Sequence, residues 1–283
     1  MRATFWVSSR ARTSSAAPET PRVLITPLRF LYRGIWLLGH LLLGMLLVTI
    51  VSLDFTRRIR PEPLTQWWNA RLFGIFGLQI RIVGRPVAGG HVTVANHVSW
   101  MDISLIAACE QTRFVSKAEV RNWPVVGQLA TAAGSFYLSR GKGGTGPLLK
   151  KLTPFLHQGG SVTIFPEGTT SRGESVLPFH PRLFAAAIDA QLPVQPLVIR
   201  YGRSRDGRNI APYVGDDVLF WHILAMLRNP SLEVEVRYLP PIDPAGLDRN
   251  ELARRTRAAI EAVLLPPSLE YADASNAAAL AAA

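Results

Sequence analysis

The chain has 283 residues and a mass of 31.1 kDa, room for one large domain with attachments. Its formal net charge of +11 calls for anionic partners: nucleic acid, anionic lipid headgroups or phosphorylated substrates. A single cysteine, Cys109, excludes an intrachain disulfide and Cys-rich zinc or iron–sulfur sites, while 48% hydrophobic residues and a mean hydropathy of +0.16 are high for a soluble protein.

Residues 1–28 are rich in Ser, Thr, Ala, Pro and Arg, the composition of a disordered basic arm. Residues 34–53 then carry no formal charge over about 20 positions, enough to span a bilayer. That run is too long for a signal-peptide apolar region, and no clear small-residue cleavage site follows it. Arg29 and Arg33 precede it and Arg57, Arg58 and Arg60 follow it, so the positive-inside rule assigns no orientation. A spanning helix and a helix inserted from the cytoplasmic face both fit. Residues 64–78, with Trp67, Trp68, Phe73 and Phe76, read as an interfacial helix with aromatic anchors. Pro61 and Pro63 separate the two segments, so residues 29–78 are expected to form a membrane-inserting helix pair.

From residue 79 to 265, short apolar runs alternate with helical patterns. Strands are expected at 79–83, 92–95, 113–116, 135–138, 162–165, 194–200 and 232–238. Helices are expected at 100–109, 124–132, 147–157, 181–190, 217–227 and 250–264. This alternation predicts a single α/β domain with a largely parallel central sheet flanked by helices. Residues 266–283 are Ala-rich and expected to be a disordered tail.

Four stretches can carry chemistry. Asn96-His97-Val98-Ser99-Trp100-Met101-Asp102 follows the second apolar run. On a continuous helix His97 and Asp102 would diverge by about 140°. They can meet if His97 lies in the loop and Asp102 in the helix's first turn, with Ser99 as N-cap. Asp102 could then accept from one imidazole nitrogen and leave the other to take a proton from a substrate hydroxyl. Ser99 and Asp102 also make a plain capping pattern that needs no catalysis. The second stretch, Gly134-Ser135-Phe136-Tyr137-Leu138-Ser139-Arg140, is a strand closing on an arginine able to grip a phosphate. The third is Phe165-Pro166-Glu167-Gly168-Thr169-Thr170-Ser171, where Gly168 lets the backbone turn toward a ligand and N–H groups and hydroxyls suit an anion. Glu167 is odd in a phosphate site; it either accepts from substrate hydroxyls or orients Arg140. The fourth, Leu192-Pro193-Val194-Gln195-Pro196, opens an apolar strand and reads as structural.

Together, in this order, these blocks resemble the glycerophospholipid acyltransferases of the 1-acylglycerol-3-phosphate acyltransferase type. That family shows N-H-x-x-x-x-D, G-x-x-F-x-x-R, F-P-E-G-T-x-S and a Pro-rich strand. The resemblance covers roughly residues 92–200. Tyr137 stands where the second block usually has Phe, and Thr170 where many members have Arg. The resemblance implies His97 as general base, Asp102 orienting it, and attack of the acceptor hydroxyl on the thioester of acyl-CoA or acyl-carrier protein without an acyl-enzyme. Backbone N–H groups near Gly168 are candidates for the oxyanion. Arg140, Glu167, Gly168, Thr169, Thr170 and Ser171 would bind the acceptor, with Lys117 adding positive charge. No cofactor, metal or nucleic acid is implied. The expected acceptor is lysophosphatidic acid, with another lysolipid such as lyso-ornithine lipid as the alternative. The expected place is the inner (cytoplasmic) membrane, catalytic domain facing the cytoplasm, in contact with membrane lipids.

Two rivals are weaker. Gly141-Lys142-Gly143-Gly144-Thr145-Gly146 fits the dinucleotide fingerprint G-x-G-x-x-G, but it is short and of low complexity. A nucleic-acid binder would fit the charge, yet the Arg clusters flank an apolar segment and no recognition motif accompanies them.

Overall fold

The computed structural model describes residues 22–56, 58–139, 145–204 and 207–264, with side chains from residue 27. Most of the arm, the tail, Arg57, Arg140 and most of the Gly-rich 141–146 run therefore lie outside the described residues.

The sheet has seven strands: β1 (Leu78–Val83), β2 (His91–Ala95), β3 (Thr112–Lys117), β4 (Phe136–Leu138), β5 (Ser161–Ile164), β6 (Val194–Tyr201) and β7 (Leu232–Tyr238). Their order is β1-β7-β6-β2-β5-β3-β4. Every neighbouring pair is parallel except β6 with β7. This is the largely parallel α/β sheet that the alternation predicts. The central strands β2 and β5 are buried at every residue, so neither shows the burial alternation of a half-covered strand. Towards the margin, β7 alternates. Leu232, Val234, Val236 and Tyr238 are buried, and the residues between them are more exposed.

Helices α1 (Arg22–Leu53) and α2 (Pro61–Phe76) precede the sheet. They are followed by α3 (Met101–Cys109), α4 (Val126–Ala132), α5 (Thr145–His157), α6 (Ala185–Ala190), α7 (Leu219–Arg228) and α8 (Arg249–Leu264). Two apolar cores form. In one, Val94, Val162 and Ile164 of the sheet meet Leu152 of α5, Ala187 of α6 and Ile260 of α8. In the other, Ala95, Ile199 and Val236 meet Phe76 of α2, Leu105 of α3 and Met226 of α7. Cys109 sits at the end of α3, where burial and the adjacent Glu110 carboxylate push its thiol up to about 12, the state of an inert packing residue.

The N-terminal apolar helix is present, and it lies against the body. The Arg33 guanidinium donates to the carbonyls of Leu227, at 3.3 Å, and Pro230, at 3.0 Å. The His40 ring stacks on Trp68 of α2 at 4.3 Å, and the Trp68 indole donates to the His40 carbonyl at 3.1 Å. Gly44 packs so closely on Leu129 of α4 and on Trp68 that a Cβ would sit 3.0 Å from each. The other side of α1, including Leu31, Ile35, Leu42 and Leu46, is 55–65% exposed. Sequence pattern makes α2 an interfacial anchor as well, but its Leu72 and Phe76 are buried in the second core. One turn apart on the helix, they face α3 and α7. Trp67 of α2 remains 41% exposed.

Candidate active site

β2, β3, β4, β5 and β6 run parallel, so their C-terminal ends share one edge of the sheet. Ligands of open α/β sheets bind outside that edge. Asn96 and His97 leave β2 there, Phe165 to Ser171 leave β5, Lys117 ends β3, and Tyr201 ends β6.

Asn96 continues the sheet with its side chain. Its amide donates to the Ile199 carbonyl at 2.9 Å and accepts the Ile199 N–H at 2.8 Å, standing in for the next rung between β2 and β6. The chain can then turn away from the sheet at His97. Asp102, fully buried in the first turn of α3, meets His97 as expected, with Nδ1 and Oδ2 at 2.8 Å. The same Oδ2 accepts the N–H groups of Val98, at 2.7 Å, and Ser99, at 2.9 Å. Ser99 departs from the expected N-cap role. Its hydroxyl lies 3.5 Å from the Met101 N–H and bonds the Tyr201 hydroxyl, and Asp102 makes the strong capping bond of the pair by accepting from the Ser99 N–H. A carboxylate accepts and does not donate, so the proton on the imidazole sits at Nδ1. Nε2 then carries the lone pair, and it makes no hydrogen bond among the described residues.

Three further side chains fix this arrangement. The Tyr201 hydroxyl donates to Asp102 Oδ1 at 2.6 Å; burial and the Asp102 charge hold its pKa well above the usual phenol value, so it stays a donor. The Phe165 ring stacks on the His97 imidazole, centroids 4.0 Å apart and planes 18° from parallel. Glu167 is buried and gives one oxygen to the His97 N–H, at 2.8 Å, and the other to the Leu177 N–H, at 3.0 Å. Burial raises its pKa, and those two N–H bonds pull it partly back. Glu167 thus ties the His97 loop to the chain near Leu177. Both carboxylate oxygens serve backbone donors inside the protein, and Arg140, the other expected partner, lies outside the described residues.

The 168–171 loop is only partly open to a ligand. Gly168 takes a left-handed φ of +70°, and a Cβ there would come within 3.2 Å of the His180 ring. Its N–H closes a turn onto the Phe165 carbonyl at 3.1 Å, so that donor is not available to an oxyanion. The Ser171 N–H goes to the His97 carbonyl at 2.8 Å, and the Thr170 hydroxyl goes to the Tyr213 carbonyl. The Thr169 and Thr170 N–H groups make no hydrogen bond among the described residues, and Gly168 and Thr169 are exposed. Lys117 is exposed at the same sheet edge. Among the described residues no cluster of three or more His, Cys, Asp or Glu is arranged to hold a metal.

Sequence reasoning located His97, Asp102 and the Glu167 loop but missed Tyr201 and the packing role of Phe165. Tyr201 lies 99 residues from Asp102 and is joined to it only by the pairing of β6 with β2. Phe165 opens the F-P-E-G motif, so the motif located it without revealing what its ring does.

The protein-family model described as acyltransferase matches residues 79–200. A lyso-ornithine lipid O-acyltransferase of Pseudomonas aeruginosa is 42% identical over 242 residues, covering 84% of this chain and 94% of that protein. A 1-acyl-sn-glycerol-3-phosphate acyltransferase of Neisseria gonorrhoeae is 33% identical over 190 residues, 64% of this chain and 73% of that protein. Among solved structures, the crystal structure of PlsC, the 1-acyl-sn-glycerophosphate acyltransferase of Thermotoga maritima, shares the fold. It matches with a TM-score of 0.64 and 22% identity over 85% of this chain and 94% of that one.

Proposed function

The chain belongs to the acyltransferase family and acts on a lysolipid, and we propose that its acceptor is a lyso-ornithine lipid, whose free hydroxyl it esterifies. The observation that carries this choice is the 42% identity, over nearly the whole length, to a relative bearing that name. Thr170 supports it. Many members of the family have Arg at this position, a group suited to gripping phosphate, whereas here a threonine hydroxyl is tied to the Tyr213 carbonyl. Lysophosphatidic acid, the first expectation from the motifs alone, is the second reading. It is favoured by the Neisseria relative and by the N–H groups of Thr169 and Thr170, donors suited to an anion.

In the reaction, His97 Nε2 takes the proton from the acceptor hydroxyl as that oxygen attacks the thioester carbonyl of acyl-CoA or acyl-carrier protein. Asp102 holds the imidazole's orientation and stabilises the imidazolium. The Thr169 and Thr170 N–H groups are the loop's candidates for the oxyanion. Collapse of the tetrahedral intermediate breaks the C–S bond, and the imidazolium returns the proton to the departing thiolate. The products are an ester and a free thiol; neither a cofactor nor a metal is needed. Arg140 and Lys117 supply positive charge to the acceptor's anionic group.

The enzyme works at the inner (cytoplasmic) membrane with its α/β domain on the cytoplasmic side. The docking of α1 along the body, from Arg33 to Gly44, supports insertion from one face over a helix that leaves the body to span the bilayer. Purified enzyme, assayed side by side with lyso-ornithine lipid and lysophosphatidic acid, should show the higher kcat/KM with the former. A clear preference for lysophosphatidic acid would move the protein to the second reading.

A further inference from the structure

A second apolar surface lies on α7. Val218, just before the helix, and Phe220 and Trp221 in its first turn are 57–66% exposed, and the two rings meet edge to face at 5.0 Å. Trp221, Ala225 and Arg228 fall at i, i+4 and i+7 and form one stripe, exposed at all three positions. At its far end the Arg228 guanidinium lies 4.5 Å over the ring of Phe30 on α1. Leu28, Leu31 and Tyr32, the neighbours of Phe30 in sequence, are themselves 60–66% exposed. The stripe is therefore continuous with the apolar face of α1, and an arginine over an aromatic ring at their junction suits the headgroup level of a bilayer.

The start of α7 is also wired to the catalytic loop. The Trp100 indole can only donate, and it donates to His222 Nδ1 at 3.0 Å, so His222 carries its proton on Nε2 and gives it to the Pro212 carbonyl at 3.0 Å. Burial lowers the His222 pKa, which keeps the ring neutral in this role. Next to Pro212, the Tyr213 N–H bonds to the Val98 carbonyl at 3.0 Å and its carbonyl accepts from Thr170. The residue after Trp221 thus braces the segment that holds both loops of the candidate active site.

We propose that the first turn of α7, with Phe220 and Trp221 at its tip, inserts into the lipid bilayer as a second membrane contact beside α1. The continuity of the two apolar surfaces selects a bilayer as the occupant. The α7 contact brings the His97 and Thr170 loops to the membrane surface, where a lysolipid acceptor resides. It needs the acceptor to be a lipid but does not depend on which one.

The test uses the full chain with vesicles of phosphatidylethanolamine and phosphatidylglycerol carrying brominated acyl chains, which quench tryptophans immersed among them. Subtracting the emission of Trp221→Phe from that of the wild type isolates Trp221, although Trp36 and Trp67 are exposed as well. On adding unbrominated vesicles the isolated signal should shift to the blue, and brominated lipid should then quench it. A Phe220→Ser, Trp221→Ser double variant, confirmed as folded by thermal melting, should bind the vesicles more weakly. An isolated Trp221 signal that brominated lipid leaves intact, while the remaining tryptophans quench, would overturn the proposal. So would a dimer that the double variant abolishes, which would assign the surface to a second copy of the chain. Neither result bears on acceptor choice, which the assay with the two lysolipids decides separately.

Discussion

The two sides of the site differ in how firmly they are held. On the side of α3, the Asp102 carboxylate accepts four hydrogen bonds between 2.6 and 2.9 Å, the imidazole it orients is stacked on Phe165, and the backbone N–H of His97 is tethered to Glu167. On the side of the 168–171 loop, Gly168 and Thr169 are exposed, and two successive N–H groups point to no protein partner among the described residues. In the proposed reaction the group that moves a proton is fixed before substrate arrives, whereas the acceptor side is left to be completed by the ligand. This division suits a family in which one chemistry serves several lysolipids: preorganisation is needed where charge develops, and variation is tolerated where headgroups bind.

The contrast breaks most completely at Asp102. Asp102→Ala leaves four inward-facing donors without an acceptor. It should cost several kcal/mol of stability, at about 1–3 kcal/mol for each buried donor left unsatisfied, and lower kcat by about 10²-fold or more through the disoriented base. Chemical denaturation beside kinetics on the folded fraction checks both. Tyr201→Phe removes one donor of the four and keeps the ring. It should lower kcat about tenfold, with KM little changed, because Tyr201 acts through Asp102 rather than on the acceptor. A rise in KM with kcat intact would instead place Tyr201 against substrate.

At Glu167 the effect falls on stability. Its amide analogue, Glu167→Gln, can accept only one of the two N–H groups and should cost about 1–3 kcal/mol. The pH dependence is more diagnostic. The native protein holds the Glu167 proton more tightly than the unfolded chain does. This group's contribution to stability is therefore fully present below the ordinary carboxylate value of 4.5, and declines as pH rises through the raised folded value. The glutamine variant should flatten that part of the curve of denaturation midpoint against pH. An unchanged curve would mean that burial does not perturb Glu167.

The strands were legible to within a residue or two, because β2 and β5 are covered on both faces and β7 on one, and coverage writes itself into the apolar pattern. The meeting of His97 with Asp102 was legible too, since both lie on one short loop-to-helix turn. What escaped depends on distant contacts. Tyr201 reaches Asp102 only because β6 lies beside β2, and nothing local in the chain marks that neighbour. For α2, an apolar pattern suits a bilayer and a protein core equally well, and the burial of Leu72 and Phe76 follows from α3 and α7 lying against that face. The bonds of the Glu167 carboxylate to the backbone of His97 and Leu177 escaped as well, because they join residues 70 and 10 positions away that no local pattern links.

The central claim is that a single base, His97 Nε2, activates the hydroxyl of the lysolipid whichever headgroup it carries. The direct measurement is acyl transfer by purified wild-type and His97→Ala protein, in one assay, to lyso-ornithine lipid and to lysophosphatidic acid, with a thermal melt of each protein. The account predicts a fall in kcat of about 10²-fold or more with any acceptor the wild type uses, and a melt close to that of the wild type. A folded His97→Ala enzyme that turns over either lipid at near the normal rate would contradict it.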